Sequence, residues 1–134
     1  MNSIIDELMK LNKKAIKNNE VPVSAIIVKG NKIISKGINK KNRTSNILDH
    51  AEIIAITRAS KKLKTWILDD CDLYVTLEPC NMCKEVINQS RIKNVYYFSA
   101  NKKQVNYKTN YKFIKLFPGK YFSDELSNFF KMRR

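Results

Sequence analysis

Leu73-Tyr74-Val75-Thr76-Leu77-Glu78-Pro79-Cys80-Asn81-Met82-Cys83 decides the fold. Its first five residues are the apolar, β-branched and aromatic run of a buried strand. Then the period changes. Cys80 and Cys83 are three apart, so on a helix they share one face. Pro79 suits the first helical position, where its missing N–H has no intrahelical partner to lose. A strand running straight into a helix sets both thiols at a helix N-terminus, where they ionise readily, and metals bind the thiolate. Upstream stands His50-Ala51-Glu52, with the only histidine of the chain.

His50, Cys80 and Cys83 give zinc three protein ligands and leave the fourth tetrahedral position to water, as in catalytic rather than structural sites. Zinc brings the pKa of water toward neutrality and so makes it a nucleophile. A carboxyl group that ferries protons without binding the metal completes such a site, and Glu52 fits that task. A lone histidine or Cys-x-x-Cys more often serves packing or redox chemistry, but here the groups occur together. His50 and Glu52, two apart, do not share a helix face. They converge only at a helix entry, with Asp49 as the expected N-cap. Cys71 as a fourth ligand would close the site. At about 3.3 Å per extended residue it lies roughly 20 Å from the site, so it is expected to be a small core residue.

With 134 residues the chain reads as one domain, 1–134, large enough for a hydrophobic core. No segment reaches the roughly 20 apolar residues of a membrane span, and the N-terminus lacks the apolar core of a signal peptide. Three cysteines, two given to metal, argue against a disulfide framework and for the reducing cytoplasm. The net charge is +14, from 26 basic and 12 acidic residues. That excess points to a polyanionic partner, most simply nucleic acid. Biased coding offers another source for 21 lysines against five arginines, though less readily for the shortage of acids.

Along the chain, Ile5, Leu8, Leu11, Ala15 and Ile16 keep helical period behind a Ser3 cap. Strands at 23–29 and 32–38 are joined by Gly30-Asn31, a hairpin signal. A helix follows over 50–63, with Ile53, Ile54 and Ile56 inward. After the 73–77 strand the cysteine-bearing helix runs to about 90. Two strands at 95–99 and 111–116 precede a last helix. It begins near Ser123, carries Asp124 and Glu125 in its first turn and buries Leu126, Phe129 and Phe130. The order αββαβαββα implies a three-layer α/β/α fold, a five-stranded mixed sheet with helices on both faces. Both halves of the metal motif then lie at helix starts beside strand ends, where α/β sheets bind ligands.

Glu20-Val21-Pro22-Val23, His50-Ala51-Glu52, the run from Tyr74 to Cys83, Ser90-Arg91-Ile92 and Phe129-Phe130-Lys131-Met132-Arg133-Arg134 together resemble the bacterial tRNA-specific adenosine deaminases of the cytidine deaminase-like zinc superfamily. The likeness spans nearly the whole chain. It implies hydrolytic conversion of adenosine to inosine at the wobble position (34) of tRNA by a homodimer holding one zinc per chain. Carried over residue by residue, it makes Glu52 the proton carrier and Asn39 the hydrogen-bonding partner of the base. Val21 and Pro22 become the pocket wall, and the backbone at Pro79 and Cys80 a contact of the amine. Lys131, Arg133 and Arg134 become contacts of the anticodon loop. Asn39 also reads as a turn residue closing the second strand.

Three stretches depart from the family pattern. Asn46-Ile47-Leu48-Asp49 replaces its usual Asp-Pro-Thr-Ala, Ser24 stands where glycine is usual, and the connection 100–110 is short. Parallel neighbours need a crossover of about a dozen residues, so that connection leaves the direction of the last strand open. Two rival readings stay beside the first. A deaminase of free guanine or cytosine would need no basic surface, and a silent zinc module that binds RNA would not need Glu52.

Overall fold

The computed structural model of the protein describes residues 2–101 and 106–133. Helix α1 (Asn2–Lys17) turns Leu8, Asn12 and Ala15 inward and begins one residue before Ser3. Strands β1 (Ser24–Lys29) and β2 (Lys32–Ile38) form the expected hairpin around Gly30-Asn31. Helix α3 (Ala51–Leu63), strand β3 (Cys71–Leu77), helix α4 (Asn81–Ser90) and strand β4 (Asn94–Ser99) follow, then strand β5 (Lys112–Lys115) and helix α5 (Lys120–Lys131). One element was not anticipated, the short helix α2 (Lys41–Thr44). Its first amides are held from afar: Asn42 N–H donates to Glu20 Oε1 at 3.1 Å and Arg43 N–H to Oε2 at 2.7 Å.

The sheet order is β2-β1-β3-β4-β5. β1 lies antiparallel to β2 and β3, while β3, β4 and β5 run parallel. The direction left open by the short connection is therefore parallel. A dozen extended residues reach about 40 Å, enough to return along the length of β4. β1 is buried from Ser24 to Val28, as a strand covered on both faces must be. Ala25 and Ile27 join Leu73, Val75 and Val95 under α3 and α4. Ile26, Val28 and Phe98 meet Leu8 of α1 and Phe122 of α5 on the other face. These are the three expected layers. Among the described residues no helix is long and apolar enough to cross a membrane.

Two helix faces differ from the reading of their periodicity. On α3 the buried stripe is Ala51, Ala55, Ile56 and Ala59, with Ile53 and Ile54 only half-buried. The cause is close approach. A Cβ on Gly37 would stand 2.3 Å from Ala51 O and 2.9 Å from Ala55 N, so β2 and α3 meet where only small residues fit. On α5 the helix starts at Lys120 rather than Ser123, which takes Asp124 and Glu125 out of the first turn. Phe122 and Phe129, two turns apart, face the sheet, whereas Phe130 is 50% exposed and Leu126 half-buried. Adjacent residues point about 100° apart on a helix, and the turn that sets Phe129 on the sheet swings Phe130 toward solvent.

Candidate metal centre and pocket

Two helix starts build the centre. His50 is the N-cap residue of α3, with extended backbone (φ −81°, ψ 149°) and its carbonyl accepting Ile54 N–H at 3.0 Å. Cys80 is the N-cap residue of α4 (φ −69°, ψ 169°), its carbonyl accepting Lys84 N–H at 2.8 Å. Neither makes a side-chain cap bond. Pro79 therefore precedes the cap instead of opening the helix. Asp49 stands one place outside the cap expected for it, its carboxylate accepting the Thr44 hydroxyl at 2.5 Å. Because N-cap backbone is extended, both ligand side chains swing past the open helix ends toward each other.

His50 Nδ1 lies 3.7 Å from Cys80 Sγ and 3.5 Å from Cys83 Sγ, and the three ligand atoms lie within 4.8 Å of one another. Zinc bonds of about 2.3 Å to sulfur and 2.1 Å to nitrogen, at a tetrahedral angle, separate the two donors by about 3.6 Å. The donor set fits that metal as it stands. Cys71 is 1% exposed in the core beneath α3, and burial pushes its thiol up to about 11. It takes no part in the cluster.

A hydrogen bond from the Cys83 thiol brings Cys80 down to about 4, and Cys83, the donor, is raised. The hydrogen bond to Cys80 also raises His50. Glu52, in the first turn of α3, is 4% exposed, and burial pushes its carboxyl up to about 7. It stands outside the ligand set.

The cluster opens into a pocket lined by Val21, Val23, Asn39, Lys41, His50, Ala51, Glu52, Leu77, Glu78, Cys80 and Asn101. Val21 and Asn39 lie where the sequence reading set them. Pro22 is buried but outside the lining, and Val23 takes its place. Val23 N–H donates to Val21 O at 2.8 Å, a turn that sets residues 21 and 23 on one side and Pro22 on the other. Pro79 is buried behind Cys80 and does not line the pocket. Asn39 lines the pocket, and its Oδ1 accepts Lys41 N–H at 3.4 Å, the contact of a turn residue.

The basic C-terminus is elsewhere, on α5. Arg133 stacks on Phe129, 3.7 Å from the ring centroid, and its Nη2 donates to Asn19 Oδ1 at 2.5 Å. Lys131 is exposed, and Arg134 lies outside the described residues. Sequence reasoning missed Lys84 and Asn101. Lys84 Nζ lies 3.0 Å from Glu78 Oε2, and Glu78 Oε1 accepts Asn101 N–H at 3.2 Å. The only signal was a lysine beside Cys83 on an otherwise inward helix face.

A mixed five-stranded sheet between two helical layers, with a His-Cys-Cys cluster at two helix starts, is the cytidine deaminase-like fold. The family model of the MafB19-like deaminases matches residues 1–134. A tRNA-specific adenosine deaminase of Rickettsia bellii is 42% identical over 109 residues, covering 80% of this chain and 75% of its own. One from Aquifex aeolicus is 46% identical over 91 residues, covering 68% of this chain and 60% of its own. The chain belongs to the family of these relatives, the tRNA-specific adenosine deaminases. A structure from work on A-to-I editing by tRNA:A34 deaminases superposes with a TM-score of 0.86 at 25% identity, over 94% of this chain and 100% of that one. A guanine deaminase of Nitrosomonas europaea shares the fold at 17% identity, with a TM-score of 0.82 over 92% of this chain and 81% of that one.

Proposed function

We propose that this chain, a single domain over 1–134, hydrolyses the exocyclic amine of adenosine at position 34 of a tRNA, yielding inosine and ammonia, with one zinc held by His50, Cys80 and Cys83. The observation that carries this is the buried Glu52 in a pocket beside three ligand atoms at zinc spacing. Bound there, zinc supplies the Lewis acidity that makes water nucleophilic near neutral pH. Glu52, with a carboxyl near 7, takes a proton from the attacking water and returns it to the leaving amine. The new C–O bond at C6 replaces the C–N bond; of the two protons of water, one completes ammonia on the leaving amine and the other ends on N1 of the product. Asn39 orients the base between Val21 and Val23.

The +14 charge favours an RNA substrate over a free base. Two copies pair as the family likeness implies, and the free thiols at 71, 80 and 83 suit the reducing cytoplasm. Lys131, Arg133 and Arg134 extend the anticodon-loop contact. Mass spectrometry of a tRNA carrying adenosine at position 34 tests the reaction. Incubation with the zinc-loaded protein is expected to add about one dalton at that base, and an unchanged base overturns it.

A further inference from the structure

Phe117 is 78% exposed, an unusual place for a large aromatic side chain. It does not stand alone. Lys115 Nζ lies 5.9 Å from its ring centroid, and Phe117 and Lys115 line a concavity with Pro118, Lys120 and Ser99. This hollow adjoins the metal pocket. Ser99, on its wall, is the register partner of Leu77, which lines the metal pocket, and Ala100 in the hollow is followed by Asn101 in the pocket. The two sites thus share the rim 99–101.

The platform is also fixed in place. A Cβ on Gly119 would stand 2.3 Å from Phe98 O, so the chain after Phe117 is pressed against the end of β4. Ser123 ties the same corner down, its hydroxyl 2.8 Å from that of Ser99. Lys120 pairs with Asp124 at 2.7 Å but remains largely exposed, which leaves Lys115 and Lys120 as the cations of the rim. An exposed ring flanked by lysines is what single-stranded nucleic acid meets on its binding proteins, because every base offers a π-face and every link a phosphate.

We propose that Phe117, with Lys115 and Lys120, forms a stacking platform for an unpaired base adjoining the target nucleotide. The proposal rests on the RNA deaminase reading and adds a second nucleotide subsite to it. A base in the metal pocket must be turned out of its stack, and a neighbour resting on Phe117 would hold the strand open at the shared rim.

The test uses the zinc-loaded full chain and an RNA stem-loop with adenosine at the first anticodon position. Phe117→Ala is expected to weaken binding about tenfold, and Phe117→Leu to weaken it nearly as much, because an apolar side chain without a π-face does not stack. Phe117→Trp should bind at least as well as the parent. In a Trp66→Phe background its fluorescence should be quenched as RNA is added. Thermal unfolding should be unchanged in all of them. Parent-like binding by Phe117→Ala, or equal binding by the Leu and Trp variants, overturns the platform and leaves the deamination reading intact. A stem-loop bound in this Phe117-dependent way but never deaminated keeps the platform and overturns the proposed reaction. Failure of the parent protein to bind the stem-loop overturns both. Self-association lost in Phe117→Ala, without any change in RNA binding, would mark the hollow as a contact between copies and likewise overturns the platform.

Discussion

Lys84 and Glu78 form an ion pair of 3.0 Å almost sealed from water, with 5% and 17% of their side chains exposed. The other Glu78 oxygen holds the backbone of Asn101, so the pair ties α4 to the pocket wall.

Lys84→Met strands the carboxylate of Glu78 and should cost about 3 kcal/mol of unfolding free energy, as when one partner of a buried pair is removed. Adding Glu78→Gln to it should restore much of that loss, since the uncompensated charge is gone. Denaturant titration of the metal-loaded parent and the two variants reads both values. A single variant as stable as the parent would mean that the pair contributes nothing.

Glu52→Gln should keep one zinc per chain while turnover falls by roughly 10²–10⁴-fold, the usual worth of a positioned acid–base. Elemental analysis beside a rate assay separates the two effects. Lost metal would instead make Glu52 part of the ligand set.

Asn39→Ala should lower kcat/KM on the stem-loop by the equivalent of about 1–3 kcal/mol, the cost of a buried polar contact left unmade. Metal content should not change. Unaltered kinetics would leave Asn39 only its turn with Lys41.

Cys71 contributes to the pH dependence at the alkaline end. Its thiol is raised by burial to about 11, against about 8.5 in an unfolded chain. A folded pKa above the unfolded one contributes stability below the lower value and loses it as pH rises through the higher. Stability should therefore decline between about pH 8.5 and 11, and Cys71→Ser should flatten that decline without altering zinc content. Chemical denaturation across this range measures the slope.

RNA affinity should fall steeply with added salt, because each phosphate neutralised by Lys or Arg releases counterions. Removing Met132–Arg134 should flatten the slope. It should also lower the melting temperature, since Arg133 holds Phe129 and Asn19. Binding that ignores salt would leave the charge to coding bias.

The clustering of His50, Cys80 and Cys83 was legible because few residue types bind metals and their spacing left little freedom: they could meet only at helix starts. The sheet was legible from its apolar runs and the Gly30-Asn31 turn. What escaped depends on residues far apart in the chain. α2 owes its first turn to Glu20, the alanine stripe of α3 to Gly37, and the backbone of Asn101 its anchor to Glu78. Periodicity shows that a helix has a face, but not how near its neighbour stands, which is why Ile53 and Ile54 seemed to point inward.

His50 and Cys80 occupy the cap positions of α3 and α4, yet neither caps its helix with its own side chain. Both instead point into the cluster, so a metal bound there would join the ends of two helices packed on one sheet face. Ion binding and the ordering of those ends then form one equilibrium. Loss of metal should be seen first in amide exchange at the starts of both helices, well before the sheet opens. The family's catalytic ion would in this way also act as a clasp.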